Sequence, residues 1–112
     1  MKYQKLVDKI NSYRDLEYNW NGYGAPKFSE LVIESSLALL QELTIEPNVS
    51  PTGRNSIQFE YQLGEDYFEI EVYKYKSKIF RVVNGVETVM IISNAYVYSY
   101  ANMFTSEYSK EQ

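Results

Sequence analysis

Three groups of side chains have the types and spacings that bear on chemistry. Glu60, Glu69 and Glu71 fall in two segments that alternate apolar and polar residues. On one sheet face they form a set of oxygen donors suited to carboxylate acid–base work, to Ca²⁺ or Mg²⁺, or to a basic partner. The plainer reading is a solvated strand face. The stretch Asn19-Trp20-Asn21-Gly22-Tyr23-Gly24-Ala25-Pro26 contains the single tryptophan. Trp20 and Tyr23, with Asn21 between them, offer an aromatic platform for a base, a sugar or a partner side chain. No phosphate-loop Lys-Ser/Thr pair follows. The plainer reading is that Trp20 closes the core between two helices while Gly22 and Gly24 turn the chain. The third group is tyrosine, with twelve in the chain. Tyr73 and Tyr75 share an expected strand face with Glu69 and Glu71, and Tyr96, Tyr98, Tyr100 and Tyr108 gather near the C-terminus. Tyrosine is enriched at interfaces, and it also fills ordinary sheets.

Composition narrows these choices. The chain has 112 residues, no cysteine and no histidine. Its length suits one domain, residues 1–112, that buries a core without staples. Thiolate sites and disulfides are excluded, and so are the usual neutral-pH base and the commonest metal ligand. No cofactor is called for. A net charge of −4 argues against broad contact with nucleic-acid phosphates. The charge is uneven: Lys2, Lys5, Lys9 and Arg14 lie early, while Glu60, Glu65, Asp66, Glu69 and Glu71 lie in the middle. No run of about 18 apolar residues suggests a membrane span. The N-terminal segment lacks the apolar stretch of a signal peptide, so a cytoplasmic protein is expected.

The elements that must position these groups follow from periodicity. Tyr3, Leu6, Val7, Ile10 and Tyr13 predict an amphipathic helix over 2–16. A second helix is expected from an N-cap at Ser29, with Phe28 and Ile33 as a hydrophobic staple. Its buried stripe is Val32, Ile33, Ser36, Leu37, Leu40 and Leu43. Residues 44–55 read as a connection. Ile57 to Leu63 and Phe68 to Val72 alternate as strands, and a two-residue loop at Glu65-Asp66 would set Leu63 against Phe68 and Glu60 against Glu71. Lys78 to Val83 and Val86 to Ile92 form a further hairpin around Asn84-Gly85. Continuous apolar residues from Val89 to Ile92 suggest a strand covered on both faces, by helices or a second subunit. Residues 94–108 carry both helical and alternating spacing. The helix is preferred, capped by Ser93 or Asn94. The expected fold is α+β: two N-terminal helices, a four-stranded antiparallel meander and a C-terminal helix.

Trp20-Asn21-Gly22-Tyr23-Gly24-Ala25, followed by Phe28, resembles the W-[DN]-G-Y-G-A signature of an uncharacterised family of small bacterial and phage proteins. Pro47-Asn48-Val49-Ser50-Pro51-Thr52, then Ile57 to Tyr61 and Phe68 to Val72, resemble its later segments, so the similarity spans about residues 14 to 73. Asn21 stands where Asp is common, and Tyr61 where Trp is common. The resemblance implies a prokaryotic or mobile-element setting and assigns no activity.

Taken together, the residues favour a non-enzymatic module that binds a protein through Glu60, Glu69, Glu71, Tyr73 and Tyr75, with a homodimer as a further possibility. In a phage setting this reading extends to an inhibitor of a host defence complex, with carboxylates standing in for phosphate charge. The alternative is a small-ligand, nucleotide-binding protein that uses Trp20, Asn21 and Tyr23.

Overall fold

Alternating residues from Ile57 onward build the centre of the molecule. The computed structural model describes residues 1–110, with side chains as far as Ser106. Five strands pair antiparallel in sequence order: β1 (Asn48–Pro51), β2 (Ile57–Leu63), β3 (Asp66–Val72), β4 (Lys76–Val83) and β5 (Val86–Ser93). Helices α1 (Gln4–Ser12), α2 (Glu30–Glu42) and α3 (Val97–Lys110) complete the fold. The architecture is therefore α+β, with five strands rather than the expected four. β1 lies within the stretch read as a connection.

One face of the sheet carries the core. Ile57, Phe59 and Tyr61 of β2, Phe68, Ile70 and Val72 of β3, and Ile79 of β4 are buried with Val7 and Ile10 of α1, Ile33 and Leu40 of α2, and Val97 and Ala101 of α3. Inward faces of β4 and β5 are thus settled. Ser77 and Ile79 point to the helices, and Met90 and Ile92 lie opposite Ile79 and Ser77 in register. Both faces of β5 are not covered: Val89 and Ile91 are more than half exposed, at 57% and 59%. Helices do not supply the expected two-sided cover, because all three serve the other face.

The N-terminal helix is shorter than 2–16. Tyr3 takes a left-handed conformation and its hydroxyl donates to the Leu43 carbonyl at 2.9 Å, so α1 begins after it. A 3₁₀ turn over Tyr13–Asp15 then carries the chain to extended Leu16. α2 starts as expected: Ser29 Oγ accepts from the Val32 backbone N–H at 3.3 Å. Its buried stripe includes Leu39, while Leu37 is only partly buried. Ser29→Ala is expected to cost about 1 kcal/mol, the usual worth of a serine N-cap, measurable as a lowered urea midpoint with unchanged slope.

The β2–β3 hairpin keeps the expected parity but not the expected loop. Leu63 pairs with Asp66, so the two turn residues are Gly64 and Glu65, not Glu65 and Asp66. Positive φ at Gly64, 66°, is what a two-residue turn needs when its second central residue has negative φ. The register slides by two residues. Tyr61 faces Phe68, Glu60 faces Glu69, and Gln58 faces Glu71. Asn84 and Gly85 both have positive φ, as the second hairpin requires.

α3 starts later than expected. Ser93 closes β5, and Asn94 is drawn to the sheet: its Oδ1 accepts from Ser77 Oγ at 2.6 Å and its Nδ2 donates to the Tyr73 carbonyl at 2.9 Å. Neither residue therefore caps the helix, which begins at Val97. Tyr96, just before the helix, is 67% exposed. The side chain of Tyr108 lies outside the described residues.

Candidate functional site

Among the described residues no helix packs across the sheet face turned away from the core; only the turn after β1 reaches over part of it. In register order, one row across it reads Asn48, Glu60, Glu69, Phe80 and Val89, and the next Ser50, Gln58, Glu71, Lys78 and Ile91. The face is therefore split. Carboxylates stand on β2 and β3, and β4 and β5 carry apolar groups with the exposed Lys78 among them. Tyr67 joins the halves, with its ring 6.2 Å from that of Phe80 and its hydroxyl donating to Glu69 Oε1 at 2.8 Å. Burial and then the neighbouring Glu69 and Glu60 push the Tyr67 phenol up, so it remains a donor. Glu60 and Glu69 lie directly opposite one another, a like-charge pair that costs a few tenths of a kcal/mol to about 1 kcal/mol. Gln58 Nε2 donates to Glu60 Oε1 at 2.5 Å and offsets part of this. The remaining negative charge faces outward.

Glu71 does not belong to that exposed set. It is 3% exposed, although it sits on a polar strand face. The turn after β1 folds over it. Arg54 Nε donates to its Oε2 at 3.0 Å, Ser56 Oγ at 2.5 Å and Tyr73 OH at 2.7 Å. Burial alone would raise its pKa; the hydrogen bonds from Arg54, Ser56 and Tyr73 and the Arg54 charge outweigh it, and the carboxyl stays below its ordinary range. A buried carboxylate with three donors on one oxygen is a structural anchor. Thr52 Oγ1 lies 2.5 Å from Ser56 Oγ and extends the network. The three glutamates therefore do not act together, and among the described residues no group of three or more carboxylates converges to hold a metal.

Tyr73 belongs to this anchor, while Tyr75 is off the strand. β3 ends at Val72, and Tyr73 N–H donates to the Lys76 carbonyl at 3.0 Å, so Tyr75 stands in the turn, 75% exposed. The two tyrosines thus do not share one strand face. They do share a surface cavity of about 430 Å³ with Arg54, Asn55, Lys74 and Lys76.

The Trp20 loop is built by its own asparagines. Asn19 Oδ1 accepts from Gly24 N–H at 2.6 Å, and Asn21 Oδ1 accepts from Tyr23 N–H at 2.8 Å and Ala25 N–H at 3.2 Å. Gly22 and Gly24 have positive φ, 79° and 81°. Trp20 stacks on Phe28 at 6.0 Å, Phe28 stacks on Tyr13 at 5.6 Å, and Trp20 Nε1 donates to the Pro26 carbonyl at 3.3 Å. Tyr23 is 92% exposed at the tip. Trp20 thus packs, Asn21 shapes the turn and Tyr23 stands exposed at the tip. The loop also docks on the turn that holds Glu71: a side chain at Gly53 would meet Asn21 Nδ2 at 2.8 Å.

Sequence reasoning missed Arg54 and Ser56. Neither stands on a periodic element, and only the strand register brings them to Glu71, 17 and 15 residues further along. It also missed Phe80 and Val82 as members of the open face. Comparison of the chain with protein-family models, curated proteins and solved structures finds no match. Among the described residues no helix is long and apolar enough to cross a membrane.

Proposed function

We propose that this chain is a non-enzymatic protein-binding module and that the uncovered sheet face is its binding surface. The observation that supports this is the pairing of exposed apolar groups with outward carboxylates on one face: Val89 and Ile91 are 57% and 59% exposed, and Glu69 and Glu60 lie two and three strands away. An apolar half beside a charged half lets one face combine burial with charge complementarity to a partner. Its partner should present an apolar strip flanked by Lys or Arg. Glu71 is covered by the turn after β1 and Tyr73 is bonded to it, so both hold that turn in place rather than leading the contact, and Tyr75 lies at the margin. In a phage or mobile-element setting, the corresponding partner is a host defence complex.

The test separates the two halves of the face. Immobilised chain captures its partner from host lysate; Glu60→Gln with Glu69→Gln is expected to weaken capture most at low salt, and Val89→Ser with Ile91→Ser at every salt concentration. Full capture by both double variants, with unchanged melting, removes the reading.

A second reading is favoured by the cavity between the β1–β2 and β3–β4 turns. Arg54, Lys74 and Lys76 surround it with positive charge and Tyr73 and Tyr75 supply rings. An anionic aromatic ligand such as a nucleotide suits that chemistry better there than at the Trp20 loop. Calorimetric titration with nucleotides, against Lys74→Glu, distinguishes the two.

A further inference from the structure

The two edges of the sheet are treated differently by this chain. β1 is a short edge of four residues, it ends in Pro51, and the Lys9 ammonium donates to its Val49 carbonyl. Shortness, proline and lysine are the usual means of blocking strand addition. β5 has none of them. It runs eight residues, Val86–Ser93, with no proline and no lysine. Its ladder with β4 is unbroken from Lys76↔Ser93 to Val83↔Val86, so no bulge twists the edge away. Among the described residues no hydrogen bond reaches the backbone of Val86–Ile92 from any element other than β4. Glu87 is its one charged residue, and Val86, Val89 and Ile91 are exposed.

We infer that β5 is a homotypic pairing edge, joining antiparallel to β5 of a second copy and merging the two sheets. This uses the backbone edge and is independent of which protein the open face binds. Two-fold symmetry restricts the register, because facing residues must share a sheet face. With the axis at Met90, Val89 meets Ile91 of the partner subunit and Thr88 meets Ile92 of the partner subunit. Glu87 then meets Ser93 of the partner subunit, beside which stands Lys76 of the partner subunit. Two strand spacings, about 9–10 Å, are within the combined reach of those side chains. An axis at Val89 would instead set Glu87 against Ile91 of the partner subunit and leave the charge facing an apolar group. Charge complementarity thus selects the Met90 register and a second copy as occupant, because the exposed Lys76 and the exposed Glu87 satisfy one another twice across the axis.

Sedimentation equilibrium on the full chain across a dilution series tests this. A reversible dimer is expected. Ile91→Lys sets a lysine into the centre of the joint twice and should raise the dissociation constant at least about tenfold, with Glu87→Lys doing so through repulsion. Adding Lys76→Glu to Glu87→Lys should restore the dimer. Hydrogen exchange on the unaltered chain gives a second readout: amides of Val86–Ser93 should slow as concentration rises. A monomer at all concentrations overturns the inference, as does a dimer that survives Ile91→Lys. If a variant melts early, the concentration dependence of β5 exchange decides: present, it supports the edge; absent, it overturns it.

Discussion

Phe68→Ala should destabilise the chain by about 3–5 kcal/mol, the usual cost of emptying a phenylalanine site in a core. Phe68 is fully buried. Its ring stacks on Phe104 at 4.7 Å and on Tyr100 at 6.0 Å, and tilts against Tyr61 at 6.3 Å. These partners come from α3 on one side and β2 on the other, so truncation opens a cavity where the C-terminal helix meets the sheet. A domain of ordinary stability has about 5–15 kcal/mol in total, so the loss is a large fraction. Phe80, half-buried on the open face, is the matched control, and Phe80→Ala should cost about 1 kcal/mol. Urea titration followed by circular dichroism gives both values. A Phe68→Ala cost below about 1.5 kcal/mol would mean that α3 does not pack on β3 in solution.

Glu71→Gln comes next, at about 2 kcal/mol near neutral pH. The amide oxygen can stand where Oε2 stands and accept from all three donors, but it accepts as a neutral group and the charge that faces Arg54 is lost. The sign with pH follows from the depressed carboxyl. Burial raises it, yet Arg54, Ser56 and Tyr73 together hold it below 4.5. The folded chain therefore binds fewer protons at this site than the unfolded chain as pH falls through that range. The stabilisation is complete above 4.5 and disappears as pH drops through the folded value. Glutamine does not titrate, so the gap between the two proteins should close in acid. A gap that is constant from neutral pH down to about pH 2 would show that Glu71 contributes by shape and not by charge.

Much of the architecture was readable because period and capping agree locally. Ser29, Phe28 and Ile33 mark the start of α2 without help from the rest of the chain. Strand parity in β2 and β3 was readable for the same reason, since an odd shift would turn Phe59 and Tyr61 outward. The pair offset was not, because apolar alternation is unchanged by a shift of two, and Gly64 decides it. β1 was hidden by Pro47 and Pro51, which suit an edge strand as readily as a loop. Of the expected site, Glu60 and Glu69 are side by side on the open face. Glu71 was misjudged because its partner Arg54 lies in a turn whose path depends on β1, the strand that pattern did not reveal.

Every strand in this sheet pairs with its neighbours in sequence. Each pairing closes a short stretch of chain, and such low contact order favours rapid zipping from one hairpin to the next. The N-terminal layer is in the opposite position. Val7, Ile10, Ile33 and Leu40 leave the ribosome before any of the strands that cover them. During synthesis α1 and α2 shield one another only in part, and their shared apolar side waits for β2 and β3 to emerge. A nascent chain halted before Val72 should therefore hold a chaperone, and one extended beyond Ser93 should release it.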